Sequence, residues 1–145
     1  MPKIKLDIVS AERALVSEEV DYISAPGAAG ILGILPRHTP LLTALTIGEL
    51  RYKKDGEEFT YAIHGGFMEV RPDHVTVLAD AAEHAEEIDE ARAEQARQRA
   101  QEMLKEKPHA DAEFALIEQS LRRAELRLRV AKRKHAGARP EMREQ

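Results

Sequence analysis

From the start to about Leu78, apolar positions recur at every second residue, the spacing that sends alternate side chains to one face of a strand. Ile4, Leu6 and Ile8 alternate with Lys3, Lys5 and Asp7, and Val20, Tyr22 and Ser24 mark a second candidate strand. Leu50 and Tyr52 lead into Lys54-Asp55-Gly56-Glu57, after which Phe59, Tyr61 and Ile63 resume the alternation. Asp55-Gly56 between two alternating runs predicts a hairpin, because its tight turn needs positive φ. A second hairpin is predicted at Arg71-Pro72-Asp73-His74, joining 67–70 to 75–78. Many short strands separated by Gly and Pro turns predict an antiparallel β-sandwich or flattened barrel.

After Asp80 the period changes, and glycine is absent until Gly137. Ala93, Ala96 and Ala100 recur at spacings of three and four and are followed by Met103 or Leu104, the seam of a helix whose small side chains admit a close neighbour. Pro108 stops that helix, since proline lacks the amide donor and disfavours α geometry in the residue before it. Asp111 is the expected N-cap of a second helix carrying Phe114, Ile117, Leu121, Ala124, Leu128 and Ala131 on one stripe. A short turn between the two gives an antiparallel αα-hairpin. The expected fold class is therefore α+β, with an N-terminal sandwich over residues 1–84 and a helical hairpin over 85–145. A hairpin gives each helix one neighbour only, so it needs packing on the sandwich, a ligand or a partner, and an element poised among such options suits a switch.

Composition narrows the function classes. The chain has 145 residues and a formal net charge of -4, so it lacks the global basic character that nucleic-acid binding normally needs. It contains no cysteine, which excludes disulfides, thiolate metal sites and side-chain redox chemistry. No apolar run approaches the roughly 20 residues needed to span a bilayer, and the first residues do not build a signal peptide, which together point to a cytosolic setting.

The candidate chemistry has bland readings beside sharp ones. Pro26-Gly27, Gly30 and Gly33 lack dinucleotide-fingerprint spacing and precede no helix start; they read as a tight loop requiring positive φ, which also makes a rigid docking surface. The histidines His38, His64, His74, His84, His109 and His135 show neither metal-ligand spacing nor a neighbouring nucleophile motif, so no metal site or catalytic residue is expected. Gly65-Gly66 beside His64 reads as a bulge or tight bend.

Asp89 suits an N-cap and Glu90 a favourable first-turn charge. Arg92 is different, a cation where the helix dipole disfavours one. Arg99 lies about two turns further on, and Arg123 and Arg127 share a face of the second helix at i and i+4. Such a run is usually a solvated face, here partly neutralised by Glu118 and Glu125. If the hairpin folds, the arginines converge, and guanidinium groups match phosphate oxygens bidentately, so a polyphosphate nucleotide is a candidate ligand. A nucleic-acid adaptor using the basic second helix and a small hydrolase using His38 or His64 are the alternatives. The acidic balance and the missing nucleophile motif count against them.

Taken together, several segments resemble the epsilon subunit of bacterial F-type ATP synthases. The resemblance is carried by Pro26-Gly27, Gly30, Gly33, Leu35-Pro36, His38 and Pro40; by Gly65-Gly66-Phe67-Met68-Glu69-Val70; by Val75-Thr76-Val77-Leu78-Ala79-Asp80; and by Ile88-Asp89-x-x-Arg92-Ala93. It implies a non-catalytic central-stalk subunit, peripheral on the cytoplasmic face of the plasma membrane, whose sandwich binds the gamma subunit and the c-ring. Gly30, Ile31, Gly33 and His38 would face the ring. The hairpin would lie folded on the sandwich or extend along gamma to the alpha and beta subunits, where it blocks ATP hydrolysis. No cofactor is required. In some family members the folded hairpin binds ATP as a regulatory ligand; by position, Glu83, Ile88, Asp89 and Ala93 would hold the adenosine part, with Arg92, Arg99, Arg123 and Arg127 near ribose and phosphates. The 107–111 loop is one residue longer than the commonest pattern, which leaves Arg122 as the alternative to Arg123.

Overall fold

The computed structural model describes residues 2–107 and 112–136. Pro108 and Asp111, expected to stop one helix and cap the next, lie outside the described residues. Eight strands come first: β1 (Ile4–Ser10), β2 (Ala14–Val20), β3 (Tyr22–Gly27), β4 (Gly30–Ile34), β5 (Leu41–Lys54), β6 (Glu57–Arg71), β7 (His74–Ala79) and β8 (Ala82–His84). A single 3-10 turn at Ala85–Glu87 leads to helices α1 (Glu90–Glu106) and α2 (Ala112–Ala136).

The strands run in the order β2-β1-β7-β6-β5-β3-β4, with β8 on β6. All pairs are antiparallel except β1 with β7, which is parallel and joins the first strand to the seventh. The long strands β5 and β6 belong to both layers. The N-terminal part of β6 pairs with β8 through Tyr61, Ala62 and Ile63, whereas Gly66 to Arg71 pair with β7. Alternation buries Ile4, Leu6 and Ile8 of β1 against Leu50, Tyr52, Ile63, Met68, Val75 and Val77 in one apolar core.

Both predicted hairpins form. Asp55 and Gly56 take positive φ, 52° and 84°, between β5 and β6, and Arg71 faces His74 across the next turn. The second candidate strand divides instead. Val20 ends β2 and Tyr22 opens β3, and after this break Ile23 and Ala25 point inward where Tyr22 and Ser24 were expected to continue the buried face. Asp21 makes the corner: its amide donates to the Lys53 carbonyl, and its carboxylate accepts from Lys3 Nζ and the Asp55 amide. One residue spent on a corner reverses the parity of everything after it.

Asp89 caps α1, its carboxylate accepting from the Arg92 amide at 3.1 Å. Ala93 and Ala100 are buried against α2, where Phe114, Ile117 and Ala124 answer them. Met103 is 40% exposed, so Leu104 is the inward member of that pair. Helix α2 carries a second apolar stripe besides the expected one. Leu126, Val130 and Ala131 are fully buried in a separate cluster with Ala62 of β6, Ala85 and Ile88, flanked by Ile47 of β5. Through it the hairpin lies on the sandwich. Thr60 to His64 of β6 are accordingly buried on both sides, one facing the main core and the other facing the hairpin.

Candidate functional site

Between the helices runs a groove formed by two cavities that share Ala96 and Arg127. The one at the base, about 300 Å³, is lined by Glu83, Glu87, Asp89, Arg92, Ala93, Ala96 and Arg127. The other, about 450 Å³, continues along the hairpin past Arg99 and Arg123 to Met103, Leu116 and Ile117. Alanines at 93, 96 and 100 open the space, since a larger side chain at these helix positions would fill it. The chemistry is graded, with carboxylates and arginines at the base, arginines alone in the middle and apolar side chains at the far end.

Seven of the eight residues predicted for the hairpin site line this groove: Glu83, Asp89, Arg92, Ala93, Arg99, Arg123 and Arg127. Ile88 does not line it. It is 4% exposed in the apolar cluster beneath the hairpin, so its side chain acts in docking the helices. Arg122, the alternative to Arg123, is exposed and does not line the groove, whereas Arg123 does. Among the described residues, the guanidinium groups of Arg92, Arg99 and Arg123 make no ion pair, so three cationic groups stand open in the groove beside the carboxylates of Glu83, Glu87 and Asp89 at its base. An anion with several oxygens is the ligand such a groove suits.

The base is tied to the sandwich through Glu83 of β8. Its Oε1 accepts from Nε of Arg127 at 2.7 Å and lies 2.8 Å from Nε2 of His64 on β6. The His64 hydrogen bond foremost, and the Arg127 guanidinium after it, hold the Glu83 carboxyl down to about 2 from its ordinary 4.5, against the opposing pull of burial. A second tie lies further along α2, where Arg133 donates Nε and a terminal nitrogen to Glu49 of β5, at 2.6 and 3.3 Å. Arg13, on the turn between β1 and β2, adds an ion pair to Glu87 at 2.6 Å. Sequence periodicity shows none of these ties, because each joins residues far apart in the chain. His64, one of the two histidines of the hydrolase alternative, is a structural partner of Glu83.

Because folding lowers the Glu83 pKa, its contribution to docking is complete above 4.5 and disappears as pH falls toward 2. Acid titration of a dye pair spanning sandwich and α2 should therefore report loosening in that window, and Glu83→Gln should flatten the step. A step of unchanged size in Glu83→Gln would assign it to other carboxylates.

The other predicted surface lies at the far end of the sandwich. Gly30, with φ of 137°, closes the turn between β3 and β4, whereas a Cβ on Gly33 would meet the Tyr22 hydroxyl at 2.8 Å, so only the first glycine needs its special φ. Ile31 is 80% exposed and Leu35 60%. His38 is only half-buried, and its Nδ1 bonds the Thr39 carbonyl at 2.7 Å. Phe67 and Leu78, paired across β6 and β7, are exposed as well, which the sequence does not predict. Their alternation was legible, but only the pairing reveals which parity faces out.

A family model described as ATP synthase, Delta/Epsilon chain, beta-sandwich domain matches residues 3–85, and one described as ATP synthase, Delta/Epsilon chain, long alpha-helix domain matches 86–132. The chain belongs to the ATP synthase delta/epsilon family. Among its relatives, the ATP synthase epsilon chain of Herpetosiphon aurantiacus is 57% identical over 89% of this chain and 94% of that protein. The ATP synthase epsilon chain of Dehalococcoides mccartyi is 55% identical over 93% of this chain and 98% of its own length. A chain in the Euglena gracilis mitochondrial ATP synthase, solved as OSCP/F1/c-ring, shares the fold with a TM-score of 0.69 at 23% identity, covering 94% of this chain and 81% of that one. Family membership accords with a sandwich followed by long helices. Among the described residues no helix is long and apolar enough to cross a membrane, and no group of three or more His, Cys, Asp or Glu is placed to hold a metal ion.

Proposed function

We propose that this chain is a non-catalytic rotor subunit of a proton-translocating F-type ATP synthase, and that its helical hairpin, residues 85–145, is a regulatory arm sensing ATP. The sandwich, residues 1–84, is the docking module. Its end carrying Ile31, Leu35 and His38 offers exposed apolar side chains to the c-ring, and the Phe67 and Leu78 face offers a second apolar surface to the gamma subunit. The assembly would sit peripherally on the cytoplasmic face of the plasma membrane. Extended, the arm would reach the alpha and beta subunits and block hydrolysis, with the exposed Arg122, Arg129 and Lys132 meeting acidic segments.

The observation that carries the regulatory part is the groove lined by four arginines, three of them without an ion pair among the described residues, between two helices that rest on the sandwich by an apolar seam. Triphosphate oxygens would pair with Arg92, Arg99, Arg123 and Arg127, drawing α1 and α2 together. Glu83 and Asp89 would accept from the amino group of adenine or from ribose hydroxyls, and Ala93 leaves room for the ring. ATP would then favour the folded arm by the difference between its affinities for the folded and extended forms, and by nothing else. The test is an ATP titration of the full chain against a variant carrying Asp89→Ala and Arg92→Ala. Removing one charged contact and one acceptor should weaken binding at least about tenfold. Equal affinity in the two proteins, or no binding to either, would overturn the nucleotide-sensing role.

A further inference from the structure

We infer that His64, buried in the sandwich behind Glu83, is a positioning residue that fixes the acceptor on which Arg127 of the arm docks. Its imidazole is 5% exposed. Backbone bonds hold it from two sides, since its amide donates to the Ala81 carbonyl at 2.9 Å and it pairs with Ile47 of β5. Its Nε2 donates to Glu83 Oε1 at 2.8 Å, and that same oxygen accepts from Arg127 at 2.7 Å. Nδ1, on the other side of the ring, is buried without a hydrogen-bond partner among the described residues. A buried ring with one unsatisfied nitrogen is costlier than an apolar side chain filling the same space. Among the described residues, the one polar contact its ring makes is to Glu83.

What that contact supplies follows from the freedom of a glutamate. Glu83 lines the cavity at the base of the groove, and an untethered carboxylate there would sample several rotamers, some aimed at Arg92 or at solvent. With Oε1 held from behind, the carboxylate stays at the one place where α2 presents Arg127. His64 thus acts on the arm without touching it. Glu83 transmits the effect, and its lowered pKa accords with two donors on one oxygen. When the arm lifts off the sandwich and Arg127 leaves, His64 keeps Glu83 from following, so the acceptor is still in place when the arm returns. This inference rests on the proposed reading of the hairpin as a detachable arm.

The chain has no cysteine, so one introduced on the sandwich and one on α2 can carry a dye pair that reports docked against released arms in the full-length protein. His64→Leu keeps the bulk and removes the donor. It should lower the docked-to-released ratio about five- to tenfold, the effect of losing one hydrogen bond to a charged group in part. His64→Gln, which retains a donor, should restore the ratio to within about twofold, and in a Glu83→Ala background, where no acceptor is left to position, His64→Leu should have no further effect. Should His64→Leu fail to fold, His64→Asn, too short to reach Glu83, serves the same comparison. A His64→Leu effect of full size in the Glu83→Ala background would assign His64 a packing role and overturn the inference, as would an unchanged ratio in a protein whose arm Arg127→Ala releases. An arm that no variant releases, Arg127→Ala included, would overturn both the inference and the proposed function.

Discussion

Gly66→Ala should destabilise the sandwich by about 3 kcal/mol or more, with a correspondingly lower urea midpoint and no change in slope. Two independent penalties coincide there. Gly66 sits at φ of 131°, a region that residues with a Cβ rarely adopt. An added Cβ would also press against the Leu78 carbonyl oxygen and lie 2.8 Å from the Ala79 Cα, backbone atoms that cannot rotate away. Gly65 and Gly66 make the bend at which β6 changes its partner from β8 to β7, so neither strand can shift to relieve the clash without breaking a ladder. Gly56→Ala is the control, because φ there is 84° and nothing lies within 4 Å of the added atom. It should cost only about 1 kcal/mol. Equal losses in the two variants would show that backbone conformation alone, and not the close approach, sets the cost at Gly66.

Leu126→Ala should leave the sandwich folded and release the arm. Leu126 is fully buried in the seam, together with Val130 and Ala131 of α2 and Ala62 and Ile88 below. Truncating a buried leucine generally costs about 2 to 5 kcal/mol, through lost transfer energy and the cavity left behind. Here the loss falls on a contact that only the docked arm makes. A cost of about 2.7 kcal/mol would lower the docked-to-released ratio by about a hundredfold. Two measurements check it: the dye pair should separate while the unfolding midpoint of the sandwich stays put, and in the assembled synthase ATP hydrolysis should fall if, as proposed, the released arm is the inhibitory one. Unchanged hydrolysis alongside a released arm would argue that extension does not inhibit.

Much of this architecture was legible in the residues. Alternation at Ile4, Leu6 and Ile8, the Asp55-Gly56 turn and the change of period after Asp80 are local signals, and each corresponds to an observed element. The break at Asp21 was not legible, because its cause lies in bonds to Lys3, Lys53 and Asp55 from elsewhere in the chain. The second stripe of α2 was within reach: Leu126 and Val130 are spaced i and i+4, but they were overshadowed by the longer stripe that faces α1. Seven of the groove residues could be named in advance through the family resemblance and the shared helix face of Arg123 and Arg127. Ile88 went to the seam because its neighbours Ala85, Leu126 and Val130 offer a dry site beneath the helices. The roles of His64 and Glu49 depend on tertiary partners, which no spacing rule supplies.

The parallel pairing of β1 with β7 has a bearing on how the protein is made. As the chain leaves the ribosome, β1 can pair with β2 at once, but its other edge stays open until residues as late as Ala79 have emerged to register against Ser10. Synthesis of both helices comes afterwards. The arm is thus laid onto a finished surface, and lifting it off again undoes only the last event of folding.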